Sequence, residues 1–234
     1  MASSQRRRPA TRKGRPVLTR EIIGAKALEM AGAEGFRSIT MRALAAELGV
    51  TVRALYNYVE DRQEVIDLAV GLMITAWNPP ELNPDAWEAS VTDYATSLRE
   101  LYRRWPRALL VALDEDAPPA SIHPNRLIQL DRFLAFLRAV GLSLPAALDV
   151  HRHQALLILA FALMVDHRTD PSDGVDEAER APLVPEMWLT EHSDLDIPVL
   201  REASTFPTPT PDEQFETLVG TVITQIRWHL RTAR

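Results

Sequence analysis

The sequence predicts an all-α protein, a group of short helices followed by a larger helical body. Three observations predict it. Apolar residues recur at helical spacing from residue 19 nearly to the end, while no stretch alternates with period two long enough for a strand. Capping residues, glycines and prolines fall between the periodic segments. Hydrophobic residues make up 46% of the 234 and charged residues 25%, which is enough apolar material for a substantial core.

The elements follow in order. Residues 1–17 are basic, polar and broken by Pro9, Gly14 and Pro16, and are expected to form a mobile arm. From Thr19, Ile23, Ala27, Met30 and Ala31 make one apolar stripe, which Gly35 ends; Phe36 and Ile39 then tuck the next turn inward. Thr40 caps a second helix with the stripe Met41, Leu44, Ala45 and Leu48, and Gly49 stops it. Thr51 caps a third, with Val52, Leu55 and Val59 on one face. Asp61 and Glu64 resemble a capping box for a fourth helix reaching about Trp77, with Val65, Ile66, Leu68, Ala69, Leu72 and Met73 as its apolar positions.

Asn78-Pro79-Pro80 closes that helix, and further helices are expected near 85–104, 106–113, 124–140 and 144–168. Residues 169–210 are acidic and interrupted by six prolines. They read as a long, partly mobile loop with at most a short helix around Glu186–Glu191. A last helix, about Pro211 to Arg231, carries Phe215, Leu218, Val219, Val222, Ile223 and Ile226 on one stripe.

The run Ala155 to Val165 is apolar on every side of a helix, so it is expected to be buried all round. At eleven residues it is shorter than the ~20 that cross a bilayer. The final helix, with small residues at Gly220, Thr221 and Thr224, is a suitable partner; two such pairs from two chains would make a four-helix homodimer interface. The other reading is the core helix of a monomer.

Charge divides sharply. Residues 1–60 carry a net charge of +6 and the remainder −12. A basic end on an acidic body suggests a polyanion partner for that end, or else a solubilising tail. There are no cysteines, which excludes disulfides, thiolate chemistry and cysteine-bound zinc, and a cytoplasmic location is the expectation. No hydrophobic stretch follows the basic N-terminus as a secretory signal would require. The chain has no Gly-rich phosphate loop, metal-spaced histidines or nucleophile motif, so enzyme activity is not expected. His167 beside Asp166 reads as the polar end of a buried helix. In His151-Arg152-His153, a spacing of two turns the rings nearly apart on a helix.

The second and third helices, joined around Gly49 with Val50 plugging their angle, have helix-turn-helix proportions. With Val52, Leu55 and Val59 inward, Arg53, Ala54, Asn57 and Tyr58 point outward. Arg and Asn suit bidentate contacts with guanine and adenine edges, Ala54 permits close approach, and Tyr56 and Tyr58 can donate to phosphates. A small bundle with a polar surface would share these proportions.

The string Ser38-Ile39-Thr40-Met41-Arg42-Ala43-Leu44-Ala45-Ala46-Glu47-Leu48-Gly49-Val50, followed by Arg53-Ala54-Leu55-Tyr56-Asn57-Tyr58-Val59, closely resembles the DNA-binding domain of TetR-family repressors. The resemblance is strong over about residues 19–70. It is weaker beyond, where Leu134-Ala135-Phe136-Leu137, Gly141-Leu142-Ser143-Leu144, Ala147-Leu148 and Phe206-Pro207 resemble the tetracycline-repressor branch. It implies an arm over 1–17, a DNA-binding domain over 18–64 and a ligand-binding and dimerisation domain over 65–234.

On double-stranded DNA it implies that Thr40 meets a phosphate and Arg42 a base. Val52, Arg53, Ala54 and Asn57 face the groove; Tyr56, Tyr58 and Arg62 meet the backbone, Arg62 standing where the family usually has Lys. Thr51, as the cap of the reading helix, belongs to the same set. Arg6, Arg7, Arg8, Arg12, Lys13 and Arg15 either enter a minor groove or touch nothing specific. For a ligand, the resemblance points to Asn78, Tyr94, Leu98, Phe133, Leu148, His151 and Ala155, with Trp77 and Trp105 as neighbouring aromatics. That set suits a small hydrophobic or polycyclic compound.

The tetracycline repressor holds magnesium on its drug with a histidine. The matching position here is Ala117, with His123 several residues away. No metal and no cofactor are therefore expected. The expected function is repression at a palindromic operator, released by a ligand. The alternative is a DNA-binding regulator that is constitutive or controlled by a protein partner.

Overall fold

A computed structural model describes residues 18–106, 108, 124–166, 184 and 186–232, with the backbone of 11–12 and 15–16. The chain divides into two compact units, residues 1–78 with 104–131, and residues 79–103 with 132–234. The all-α expectation holds. The extended pieces among the described residues are Thr11–Arg12 and Arg15–Pro16, a short antiparallel pair in the stretch expected as an unstructured arm. Of the helix expected over 106–113 only residues 106 and 108 are described; the side chains of Arg6, Arg7, Arg8, Arg12, Lys13 and Arg15 lie outside the described residues, as do Ala117, His123 and His167.

In the first unit, α1 spans Arg20–Glu34, α2 Met41–Glu47, α3 Val52–Leu55 and α4 Arg62–Thr75. Each begins at a cap legible in the sequence. Thr19, Thr40 and Thr51 accept from the amides of Ile22, Ala43 and Ala54 at 3.2, 3.1 and 3.2 Å, and Asp61 accepts from Glu64 at 2.9 Å. The capping box differs by one residue, since the Glu64 carboxylate reaches back to the amide of Glu60.

Gly49 has φ of 63°, and around it the Val50 amide bonds to Ala45 O and the Gly49 amide to Ala46 O, both within 3.0 Å. This closure needs a left-handed residue after the helix, which glycine supplies without a Cβ clash. It also turns Val50 back onto the core.

That core joins Ile23, Ala27, Leu28, Phe36, Ile39, Leu44, Leu55, Val59, Val65, Ile66 and Ala69. Because α4 packs its buried face into it, the compact unit extends past the boundary expected at 64/65. Close approach of α1 and α4 is set by Gly24, where a Cβ would meet Leu72 Cδ1 at 3.0 Å and Leu68 Cβ at 3.1 Å.

In the second unit, α5 spans Trp87–Arg104 and α6 Pro124–Val140, each extending past the unit boundary at one end. They are followed by α7 at Leu144–Met164, α8 at Glu186–Glu191, α9 at Pro198–Ala203 and α10 at Pro211–Thr232. The helix α9 corrects the expectation that 169–210 holds at most one short helix. Pro198 was counted as an interruption, but it sits in the first turn, where proline's missing N–H costs nothing. Arg201 binds α9 to the end of α8, donating to Leu189 O at 3.0 Å and His192 O at 2.9 Å.

Arg99 holds three elements. Its guanidinium donates to both carboxylate oxygens of Asp166, at 2.9 and 2.7 Å, and to Asp212 at 2.9 Å. It also lies over the rings of Phe161 and Phe215, 5.0 and 4.6 Å from their centres. This joins α5, the end of α7 and the start of α10 through one buried cation.

The helix α7 is buried along one side only within the single chain: Leu156, Leu157 and Met164 are exposed, so the all-round burial expected of it is not reached inside one chain. At 21 residues it is long and apolar enough to cross a membrane by length and composition. However, Asp149, His151, Arg152, His153 and Gln154 occupy its middle rather than its ends, where charged and polar groups are costly in lipid.

Candidate nucleic-acid interface and ligand site

Two side chains anchor α3 and the turn after it. Leu55 is 0% exposed and Val59 2%, so the opposite side of this segment faces outward. Arg53, Tyr56 and Asn57 are exposed there, Ala54 and Tyr58 are half-buried, and Arg42 is exposed on α2. Thr40 and Thr51 lie at the starts of their helices, exposed, with their hydroxyl oxygens engaged as caps.

Regular helix ends at Leu55 rather than running to Val59. Residues 56–59 continue as hydrogen-bonded turns, with the Tyr58 amide to Leu55 O at 2.8 Å and the Val59 amide to the same oxygen at 3.1 Å. Val52 is half-buried, which reconciles its two expected orientations, partly in the core and partly at the surface.

Two arginines hold this surface from behind. Arg62, expected on phosphate, donates within the chain through Nε to Ile39 O at 2.6 Å and through Nη2 to Phe36 O at 2.8 Å. It thereby fixes the turn before α2 onto the start of α4. Arg20 was not foreseen: its Nη1 donates to Tyr58 O at 2.8 Å and its Nη2 pairs with Glu64. These partners lie 38 and 44 residues away, beyond the reach of any periodicity. The Glu64 carboxyl is held below its ordinary range first by the Glu60 amide and then by Arg20.

The expected ligand residues divide. In the second unit, Tyr94 on α5 stacks on Phe133 of α6 with ring centres 4.3 Å apart and an angle of 19°, and Phe133 lies 6.1 Å from the ring of His151 on α7. Leu98 is buried, and Leu148, His151 and Ala155 are half-buried on α7. Burial raises the Tyr94 hydroxyl well above its ordinary value. Burial, and secondarily Arg152, lowers His151, so its ring is neutral at pH 7.

Trp77, Asn78 and Trp105 fall in the first unit. There Trp105 packs against α1, where a Cβ on Gly32 would come within 3.0 Å of the indole, and Arg104 lies 4.4 Å over its ring. Sequence reasoning missed Gln154, which is 2% exposed between His151 and Ala155. Its place one helical turn past His151, on the face that continues to Ile158, was the available signal.

This is a helical regulator architecture: one unit carries a helix-turn-helix with an exposed outer side on α3, and the other, larger unit holds an aromatic cluster. Residues 23–67 match the model of bacterial regulatory proteins of the tetR family, and residues 79–224 match that of the tetracyclin repressor-like C-terminal domain. The chain belongs to the TetR family of bacterial regulatory proteins.

Among its relatives, the HTH-type transcriptional repressor DrrR1 of Streptomyces coeruleorubidus is 32% identical over 140 residues, 59% of this chain and 50% of that one. An HTH-type transcriptional regulator of Saccharopolyspora erythraea is 29% identical over 127 residues, 54% of this chain and 52% of that one. The chain spans about half the length of these curated relatives. The crystal structure of ActR from Streptomyces coelicolor in complex with actinorhodin is similar over 92% of this chain and 99% of that one, with 25% identity and a TM-score of 0.67.

Proposed function

We propose that this protein is a homodimeric transcriptional repressor that binds a palindromic DNA operator and is released from it by a small hydrophobic ligand. The observation that carries the reading is the open outer side of α3, where Arg53 and Asn57, with Arg42 beside them on α2, present base-reading groups while Leu55 and Val59 fix the orientation. The relative DrrR1 is named a repressor, and ActR binds actinorhodin; both support the two halves of the reading.

Dimerisation rests on the uncovered apolar side of α7. Leu156 and Met164 are 64% and 63% exposed, and Gly220, Thr221 and Thr224 are exposed on the neighbouring α10. A second copy covers such a face with two-fold symmetry. It also places two reading helices ~34 Å apart, one turn of DNA. A ligand that favours a different spacing then releases the operator by population shift.

Selection of bound sequences from a random DNA pool tests this reading. The expected outcome is a palindrome with half-sites about one helical turn apart. Arg53→Ala and Asn57→Ala should each relax the preference at one base pair by about 1–3 kcal/mol. Binding without sequence preference, or a consensus insensitive to both substitutions, overturns the reading.

A further inference from the structure

The core of the second unit contains, in its described residues, one buried side chain whose polar atoms the fold does not use. Among the described residues, four polar or charged residues are buried: Ser90, Arg99, Gln154 and Asp166. Ser90 bonds to the backbone of Asn83, and Arg99 and Asp166 bond to each other. Neither the Nε2 nor the Oε1 of Gln154 has a partner. A buried amide without partners is costly, and an apolar side chain of similar shape would pack at least as well. The position is therefore poorly explained by stability.

Its neighbours suggest a use. Gln154 lies one helical turn beyond His151 on α7 and one before the fully buried Ile158, so the three share a face. His151 is 6.1 Å from Phe133, which stacks on Tyr94 at 4.3 Å. A buried stacked pair, Tyr94 and Phe133, thus meets α7 at His151, and the unsatisfied amide lies one turn further along α7.

We propose that Gln154 is the specificity-determining residue of the ligand site, selecting a planar compound that carries a hydrogen-bond donor and an acceptor side by side on one edge. A primary amide presents its carbonyl and one N–H in the same orientation, so a lactam, imide or carboxylic acid closes two hydrogen bonds with it in one ring. The neighbouring aromatic side chains supply the apolar contact for the flat compound. The proposal rests on the reading that this half of the protein binds a small ligand, and it adds the polar chemistry that the apolar residues alone do not specify.

Three tricyclic probes of the same shape test it: phenanthridin-6(5H)-one, its N-methyl derivative and phenanthrene, titrated against the full-length protein by calorimetry. The lactam should bind about tenfold more tightly than the other two. In Gln154→Met the three should fall within about twofold of one another, with phenanthrene binding retained. The ligand-free variant should melt at or above the wild-type temperature.

Equal binding of lactam and N-methyl lactam to the wild type, which needs no variant, overturns the proposal, as does binding of none of them. A preference that survives in Gln154→Met overturns it, and so does a ligand-free variant that melts lower. Operator release measured in the same samples separates the two readings. If phenanthrene and the N-methyl lactam release DNA as well as the lactam does, ligand control stands and the role of Gln154 falls. If no compound in a hydrophobic library releases DNA, ligand control itself falls.

Discussion

Arg62 illustrates how a residue at a motif position can serve the fold that presents the motif. Its bonds to Phe36 O and Ile39 O are charge-assisted and half-buried. Losing both should cost roughly 3 kcal/mol, the low end for two hydrogen bonds to a charged group at ~1.5–3 kcal/mol each, because the site is only half-buried. Arg62→Met should therefore lower the denaturation midpoint while leaving the log-salt slope of DNA binding unchanged. A phosphate contact would instead reduce that slope by about 0.9. Stability kept and slope reduced would return Arg62 to the DNA.

His151 makes a pH prediction at the same scale. Its pKa lies below the unfolded value because burial disfavours the charged ring. Below about pH 6.5 the unfolded chain takes up a proton that the folded ring resists, so this group's contribution weakens stability as pH falls. Thermal melts between pH 7.5 and 5.5 should show a decline that is shallower in His151→Phe; identical slopes would remove His151 as a source.

The elements show what was legible in the sequence and what was not. Every cap of α1 to α4 was readable, because Thr19, Thr40, Thr51 and Asp61 act on amides three residues ahead. The exposed outer side of α3 was readable for the same reason, since Leu55 and Val59 are four apart on one buried face. The helix α9 was not, because proline marks both a break and a first turn. Nor were the long-range holds of Arg20, Arg62 and Arg99, whose partners are set by packing.

Two predictions test those holds. Arg99→Met should be strongly destabilising, by about 3–5 kcal/mol, because it strands the buried carboxylate of Asp166. The double variant Arg99→Met/Asp166→Leu should recover most of the loss in a denaturant titration, and a loss equal to the sum of the single effects would contradict a coupled pair. Gly24→Val should cost about 1–3 kcal/mol by pushing α1 from α4; an unchanged midpoint would mean that the two helices separate freely.

At the scale of the whole molecule, the question is what covers the apolar side of α7 and α10. The contact between these helices in one chain uses their inner faces, with Phe161 against Phe215 at 5.3 Å and His153 bonded to Gln225 at 2.8 Å. Leu156, Leu157, Met164 and Trp228 are left in water. Gly220 is exposed within α10, and a Cβ added there would meet nothing within 4 Å. A side chain at 220 therefore leaves the single chain undisturbed, and replacing glycine in mid-helix favours the helix by up to about 1 kcal/mol. If a second copy packs on this face, the same side chain falls between the two chains. Gly220→Arg should then give a folded monomer in sedimentation equilibrium where the wild type is a dimer. It should also weaken operator binding on the order of 100-fold, because each half-site is held without the effective concentration that the partner provides. Gly220→Ala separates the two effects, raising helix stability with little change in association. A Gly220→Arg protein that remains dimeric and binds its operator normally would place the interface elsewhere, and the exposed leucines of α7 would need another cover.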